Sequence, residues 1–87
     1  MLIHLSASLE RFAKAREFRL APGSIEHVLR QLESYDGDLF RRLAPDGNLS
    51  RSIKIFVNNI VIDALAGCDT EVGPGDEVRI VAASSGG

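Results

Sequence analysis

The sequence predicts an α+β fold in which one amphipathic helix crosses a single mixed β-sheet. Three observations lead to this prediction. Apolar and polar residues alternate in several short segments toward both ends of the chain, as half-buried strands require. One segment between them carries apolar residues at helical spacing. With 87 residues the chain fits one small domain, in which a single helix covers one face of the sheet and leaves the other exposed.

Two strands are predicted before the helix, over residues 2–9 and about 16–20. The first strand is apolar at every second position, with Ile3, Leu5, Ala7 and Leu9. In the second strand, Phe18 and Leu20 alternate with charged residues. We expect the two strands to form a hairpin whose connection covers about residues 10–15.

The helix is predicted to begin at Ser24, whose side chain can cap the free amide groups of the first turn. Glu26 lies where the helix dipole favours negative charge, and Gly37 is predicted to end the helix. One face is apolar at helical spacing, with Ile25, Val28, Leu29, Leu32 and Tyr35. A short helical turn over residues 38–43 and a loop over 45–52 are predicted to follow.

Three more strands are predicted in the remainder of the chain. Residues 53–57 and 60–62 form a hairpin around Asn58-Asn59, because asparagine tolerates the positive φ of a tight turn. After a further loop, the turn sequence Gly73-Pro74-Gly75-Asp76 leads into a last strand over 77–82.

We expect residues 1–82 to form a single domain and residues 83–87 to form a flexible C-terminal tail of small residues. Ten basic and twelve acidic side chains give a net charge of −2 without a basic footprint, so no nucleic-acid partner is expected. No stretch approaches the roughly 18 apolar residues of a membrane span, so no membrane partner is expected either. The N-terminus lacks a secretion signal, which favours a cytoplasmic location.

The sequence indicates no conventional catalytic or metal site. His4 and His27 have no metal-ligand partner at helical or hairpin spacing. Cys68 is the only cysteine, cannot form an internal disulfide and has no basic neighbour in sequence. The Gly73-Pro74-Gly75 turn lacks the lysine and hydroxyl residue of a phosphate-binding loop. We therefore expect no metal and no cofactor on this chain, and no enzymatic activity of its own.

The last two residues of the sequence, Gly86-Gly87, do suggest a function. Without Cβ atoms, two glycines can pass through a channel that is too narrow for side chains. Residues 83–87 can extend about 17 Å, which is enough to reach the buried active site of another protein. An ionised terminal carboxylate is a poor electrophile and needs activation, for example as an acyl-adenylate. The alternative is an inert glycine-rich end.

Four short segments of the second half of the sequence form a combination of motifs: Ile53-Lys54-Ile55-Phe56-Val57-Asn58, Gly67-Cys68-Asp69-Thr70, Gly75-Asp76-Glu77-Val78 and Gly86-Gly87. Together they resemble the MoaD/ThiS family of ubiquitin-like, β-grasp sulfur-carrier proteins. The resemblance is clearest over about residues 39–87 and is compatible in layout with residues 1–38. The chain departs from the family where Asn58-Asn59 replaces Asn-Gly, where Cys68 replaces an aliphatic residue, and where residues 82–85 lack a proline.

The resemblance implies a mechanism in which a ubiquitin-activating-type enzyme uses ATP to adenylate the carboxylate of Gly87. Sulfur from a donor enzyme then replaces AMP, so that Gly87 carries a thiocarboxylate while Gly86 gives access to the partner's active site. The acceptor expected first is a molybdopterin synthase large subunit, in molybdenum cofactor biosynthesis. The alternatives are a carrier for cysteine or thiamin biosynthesis, a ubiquitin-like protein modifier, or a plain interaction module.

The face of the sheet opposite the helix is the expected site of partner docking. If alternating residues such as Ile3, Ile55 and Ile80 face the helix, four others lie on the exposed face: His4, Phe56, Arg79 and Val81. A phenylalanine and a valine exposed together would form an apolar patch that a partner can cover. The alternative is that a loop covers Phe56.

Overall fold

A computed structural model describes residues 1–82 of the chain, and the predicted tail, residues 83–87, lies outside the described residues. The strands are β1 (Leu2–Leu5), β2 (Glu17–Arg19), β3 (Gly23–Ser24), β4 (Ile53–Val57), β5 (Ile60–Val61), β6 (Glu71–Val72) and β7 (Glu77–Ala82). The helices are α1 (Ala7–Glu10), α2 (Ile25–Tyr35) and α3 (Gly37–Leu43), with 3₁₀ turns at Ile62–Ala64 and Gly67–Asp69.

The main sheet contains five strands in the order β2-β1-β7-β4-β5. β7 is the central strand, parallel to β1 and antiparallel to β4. Strands β3 and β6 form a separate antiparallel pair at the start of α2. The predicted α+β class and the mixed sheet are therefore confirmed.

A single apolar core lies between the helices and one face of the main sheet, which we call the inner face. The most completely buried side chains come from the three helices and the three middle strands: Ile3, Leu9, Ile25, Val28, Leu32, Leu39, Leu43, Ile55, Val78 and Ile80. Burying one such side chain contributes about 1.5–3 kcal/mol. Among the described residues the helices cover the inner face, and the strand residues of the opposite face remain partly or fully exposed.

Helix α2 begins as predicted. The Oγ of Ser24 accepts a hydrogen bond from the backbone N–H of His27 at 3.1 Å. Four of the five predicted apolar positions are buried, whereas Tyr35 at the end of the helix is 38% exposed. The Tyr35 ring packs on Phe18 of β2, with ring centroids 5.0 Å apart, so it contacts the sheet at the margin of the core.

The predicted strand over residues 2–9 is too long, because β1 ends at Leu5 and residues 7–10 form α1. Leu5 and Leu9 are also four residues apart, which is a helical spacing, so the apolar pattern fits either structure. The structure buries Leu9 by turning the chain into a helix after Ser6. The prediction of a strand was therefore wrong for the residues after Leu5.

Two further boundaries differ from the prediction. Gly37 does not simply end a helix, since it is the first residue of α3, which extends the predicted turn over 38–43. The predicted strand over 60–62 ends at Val61, and Ile62 turns inward to a buried position at the start of a 3₁₀ turn.

The Asn58-Asn59 turn is confirmed, with φ values of 49° and 72°. The side chain of Asn58 also joins this turn to the start of β7. Its Oδ1 accepts from the Glu77 backbone N–H, and its Nδ2 donates to Asp76 Oδ1, both at 3.0 Å. The hydrogen bonds from Asn58 and from the Gly73 backbone hold the pKa of Asp76 below its usual value.

Asp36 is a buried carboxylate that connects three parts of the fold. Its Oδ1 accepts from the Leu39 backbone N–H at 3.2 Å and thereby caps α3. Its Oδ2 accepts from the backbone N–H of Lys14 at 2.8 Å, in the connection between α1 and β2. This connection has no regular structure of its own, so the carboxylate fixes its position against the junction of α2 and α3.

We predict that Asp36→Ala lowers the free energy of unfolding by about 1–2 kcal/mol, because it removes a helix cap and leaves a backbone donor without its acceptor. Urea unfolding followed by circular dichroism measures this loss. Asp38→Ala is the control, since Asp38 lies on the same helix with an exposed side chain and should change stability by less than about 0.5 kcal/mol. Equal losses in the two variants would contradict the role given to Asp36.

Candidate functional site

The outer face of the main sheet carries the residues predicted to dock a partner. Strand pairing places His4 of β1 and Phe56 of β4 on either side of Arg79 in β7. The burial of each strand alternates as predicted, with the inner residues buried and the outer ones partly or fully exposed. We call this surface the open face.

One half of the open face is apolar. Phe56 pairs with Val61 across the β4–β5 hairpin, and both side chains are half-buried. Val81, two residues beyond Arg79 on β7, is half-buried as well. On β4, Lys54 lies directly opposite Val81, and the Nζ of Lys54 lies 3.0 Å from Asp63 Oδ2. These three apolar residues, Phe56, Val61 and Val81, form a patch next to the end of the central strand.

The other half of the open face is polar and centred on His4. The Nδ1 atom of His4 lies 2.6 Å from Glu17 Oε2, and Nε2 lies 3.9 Å from Glu77 Oε2. Nε2 is shielded from solvent and makes no hydrogen bond within the described residues. Only 21% of the His4 side chain is exposed, so this residue offers a partner little direct contact surface.

A groove of about 300 Å³ opens beside His4 on the polar half. It is lined by His4, Leu5, Ala7, Glu10, Arg16, Glu17 and Arg79. Two of its charged groups are paired with each other, because Arg16 Nη1 lies 3.6 Å from Glu10 Oε1. Arg79 is exposed at the border between the groove and the apolar patch, and within residues 1–82 it has no carboxylate within 4.0 Å.

The central strand ends beside β1 and β4, at Ala82. The backbone N–H of Ala82 donates to Ser6 Oγ at 3.3 Å, and the Ser6 N–H donates to the Ile80 carbonyl at 3.0 Å. These bonds hold the last described residue of the chain at the sheet. The predicted reactive residues, Gly86 and Gly87, lie outside the described residues.

Cys68 is half-buried in the second 3₁₀ turn, on the side of the domain where α2 begins. Burial raises the pKa of its thiol, and the carboxylates of Glu26, Asp69 and Asp63 raise it further. A thiol in this environment stays protonated at neutral pH and is a weak nucleophile. Cys68 therefore has the surroundings of a structural residue.

Two other kinds of site are absent from the part of the chain that the structure describes. Residues 1–82 contain no group of three or more His, Cys, Asp or Glu side chains arranged to hold a metal ion. Nor does any helix in this range have the length and apolar character needed to cross a membrane.

Comparison with known proteins identifies the family. The sequence profile of the ThiS family matches residues 3–87. A protein of Archaeoglobus fulgidus named "Putative sulfur carrier protein" is 48% identical over 65 residues, which make up 74% of this chain and 74% of that protein. The chain belongs to the ThiS family. The resemblance inferred from the sequence motifs is thus confirmed.

Solved structures show the same fold as this ThiS-family chain. Small archaeal modifier protein 1 of Methanosarcina acetivorans is 28% identical with a TM-score of 0.87, covering 99% of this chain and 94% of that chain. A chain in the BexX/CysO complex of Amycolatopsis orientalis is 22% identical with a TM-score of 0.85, covering 99% of this chain and 98% of that chain. The fold is therefore the ubiquitin-like β-grasp, as expected.

Sequence reasoning missed part of the open face of this ThiS-family protein. Val61 could have been placed opposite Phe56, because a two-residue turn at Asn58-Asn59 fixes the hairpin register. The carboxylates of Glu17 and Glu77 that face His4 could not have been placed. The long connection between β1 and β2 leaves the register of Glu17 undetermined by sequence, and β7, which carries Glu77, pairs with β1 from the far end of the chain.

We predict that Cys68 reacts with iodoacetamide in the folded protein only at a higher pH than an unhindered thiol, because its raised pKa reduces the thiolate fraction at any given pH. Alkylation rates measured by mass spectrometry between neutral and alkaline pH test this. In Glu26→Gln the profile should move to lower pH, since one negative charge is removed. Alkylation of the folded protein at neutral pH as fast as in urea would contradict the prediction.

Proposed function

We propose that this protein is a sulfur carrier that works with partner enzymes and bears sulfur as a thiocarboxylate on Gly87. The observation that supports this most directly is the family match, which runs through Gly87 and places the chain in the ThiS family over nearly its whole length. The name of the Archaeoglobus fulgidus relative points to the same class of function.

The position of β7 supports the proposal in physical terms. A central strand is held by hydrogen bonds on both edges, so its end is a rigid starting point for the residues that follow. From Ala82, residues 83–87 can reach about 17 Å if extended, and glycines at the last two positions minimise the width of the chain. The reacting carboxylate can thus enter a partner's active site while the domain docks outside.

The chemistry proposed for Gly87 needs activation by a partner. The carboxylate attacks the α-phosphate of ATP and pyrophosphate leaves, which gives an acyl-adenylate bound to a ubiquitin-activating-type enzyme. Hydrosulfide released by a donor protein then attacks the acyl carbon and forms a C–S bond, the bond to AMP breaks, and Gly87 is left with a thiocarboxylate. In this scheme the chain supplies the carboxylate and the docking surface, and the partner enzymes supply catalysis.

The acceptor that we propose first is a molybdopterin synthase large subunit. The reason is that the family motifs of this chain resemble those of the small subunit of that enzyme. Carriers for cysteine biosynthesis are the first alternative, because the segment 43–58 resembles that subgroup. Thiamin carriers are a further alternative, although they usually lack a segment corresponding to residues 38–52.

A ubiquitin-like modifier is the second candidate function. It is favoured by the structural similarity to small archaeal modifier protein 1, at 28% identity over 99% of this chain. A modifier needs the same adenylated carboxylate, but Gly87 would form an amide with a lysine of a target protein. The product formed after activation therefore separates the two functions.

We predict that a protein whose last residue is Gly87 gains the mass of one oxygen-to-sulfur exchange during incubation with bacterial lysate, ATP and cysteine. Intact-mass spectrometry measures the change. Deletion of Gly86-Gly87 should abolish it, as should omission of ATP, because both remove the adenylation step.

A ladder of larger protein adducts without the sulfur exchange would support the modifier instead. If neither product forms in a lysate that loads a known carrier, the sulfur-carrier proposal is wrong for this protein. The purified acceptors named above then distinguish the pathways, since only the correct one should remove the sulfur from the loaded protein.

We also propose that the apolar half of the open face docks the activating enzyme, with Phe56 and Val81 in the contact. Phe56→Asp should reduce the rate of sulfur loading by at least about 10-fold, because a partner would then bury an unpaired charge. Tyr35→Asp is the matched control. It introduces the same charge at a partly exposed aromatic residue on the helical side and should leave the rate within about 2-fold of the original. Unchanged loading by folded Phe56→Asp would exclude this docking site.

A further inference from the structure

Arg79 is an exposed cation in the centre of the open face, and no carboxylate of residues 1–82 is paired with it. It lies on the middle strand of the sheet, between His4 on one side and Phe56 on the other. On the same face, Lys54 is paired with Asp63. Arg19 on the edge strand β2 is, like Arg79, exposed and without a carboxylate within 4.0 Å among residues 1–82, but of the two it is Arg79 that lies beside the apolar patch. An arginine left in this state beside an apolar patch is suited to bind a carboxylate of another molecule.

The nearest carboxylates of the open face lie beside His4 and not beside Arg79. Glu77 precedes Arg79 by two residues on the same strand face, so it is a close candidate partner. The Glu77 carboxylate instead lies 3.9 Å from Nε2 of His4, while Glu17 is held at Nδ1. The His4 ring thus lies between two carboxylates, and among residues 1–82 no carboxylate lies within 4.0 Å of the guanidinium of Arg79.

We infer that Arg79 determines the specificity of docking by binding an aspartate or glutamate of the partner protein, set among apolar side chains that cover Phe56, Val61 and Val81. The positive charge of Arg79 favours such a partner. When apolar side chains of the partner exclude water from the guanidinium, a carboxylate is needed to offset the free-energy cost of removing that water. His4 acts as a positioning residue that keeps Arg79 available. The inference rests on the proposed function, since the partner meant here is the enzyme that loads Gly87.

The test compares charge variants in the sulfur-loading assay with bacterial lysate, ATP and cysteine. Arg79→Glu should lower the loading rate at least about 10-fold, because it places two carboxylates together in the contact. Arg79→Lys retains the charge and should stay within about 3-fold of the original rate. Arg19→Glu is the matched control: it makes the same charge change on the open face, on the edge strand β2, and should have less than about a 2-fold effect.

A second variant tests the positioning role of His4. His4→Gln should release Glu77 toward Arg79 and slow loading, and the added change Glu77→Gln should restore the rate by removing the competing carboxylate. A purely structural role for His4 predicts no such rescue. Thermal unfolding of every variant confirms that the fold is retained.

The outcomes separate the two levels of the proposal. Loading of the original protein with equal slowing in Arg79→Glu and Arg19→Glu would mean a general charge effect and would overturn the role of Arg79. Undiminished loading of Arg79→Glu would overturn it as well. Failure of the original protein to load, in a lysate that loads a known carrier, would overturn the proposed function itself and the inference that rests on it.

Discussion

The pairing of β7 on both of its edges is the constraint on which the rest of the structure depends. A strand held by β1 and β4 must present alternate side chains to the core and to the open face. Val78 and Ile80 therefore fill the core, and Arg79 and Val81 lie outside. A slip of one residue would bury the Arg79 charge and expose both core residues, so the register is strongly determined.

The same strand connects stability with function. Its start is fixed by the hydrogen bonds of Asn58, and its end at Ala82 by Ser6. The chemistry proposed for Gly87 therefore follows a strand that the rest of the domain holds at both ends. A domain with the proposed function needs no pocket of its own, because in that proposal the sheet face is the binding surface and a separate segment carries the reacting group.

Much of the fold could be predicted because its signals are local. Short-range sequence patterns predict the apolar stripe of α2, its Ser24 cap and the positive-φ turn at Asn58-Asn59. The structure confirms them. The wrong extension of the first strand to residue 9 has a physical reason as well. Apolar positions four residues apart fit both a strand and a helix, and only packing against the core decides between them.

The sequence by itself determined the fold class, the inner and outer faces of the strands, and the motifs that assign the chain to the ThiS family. These depend on periodicity and on short segments, which are visible without contacts. Only the tertiary structure decided that His4 lies between Glu17 and Glu77 and that Arg79 is left without a carboxylate partner within residues 1–82. Such pairings join residues far apart in the chain, and their register depends on how β1, β2 and β7 align after the whole sheet has assembled.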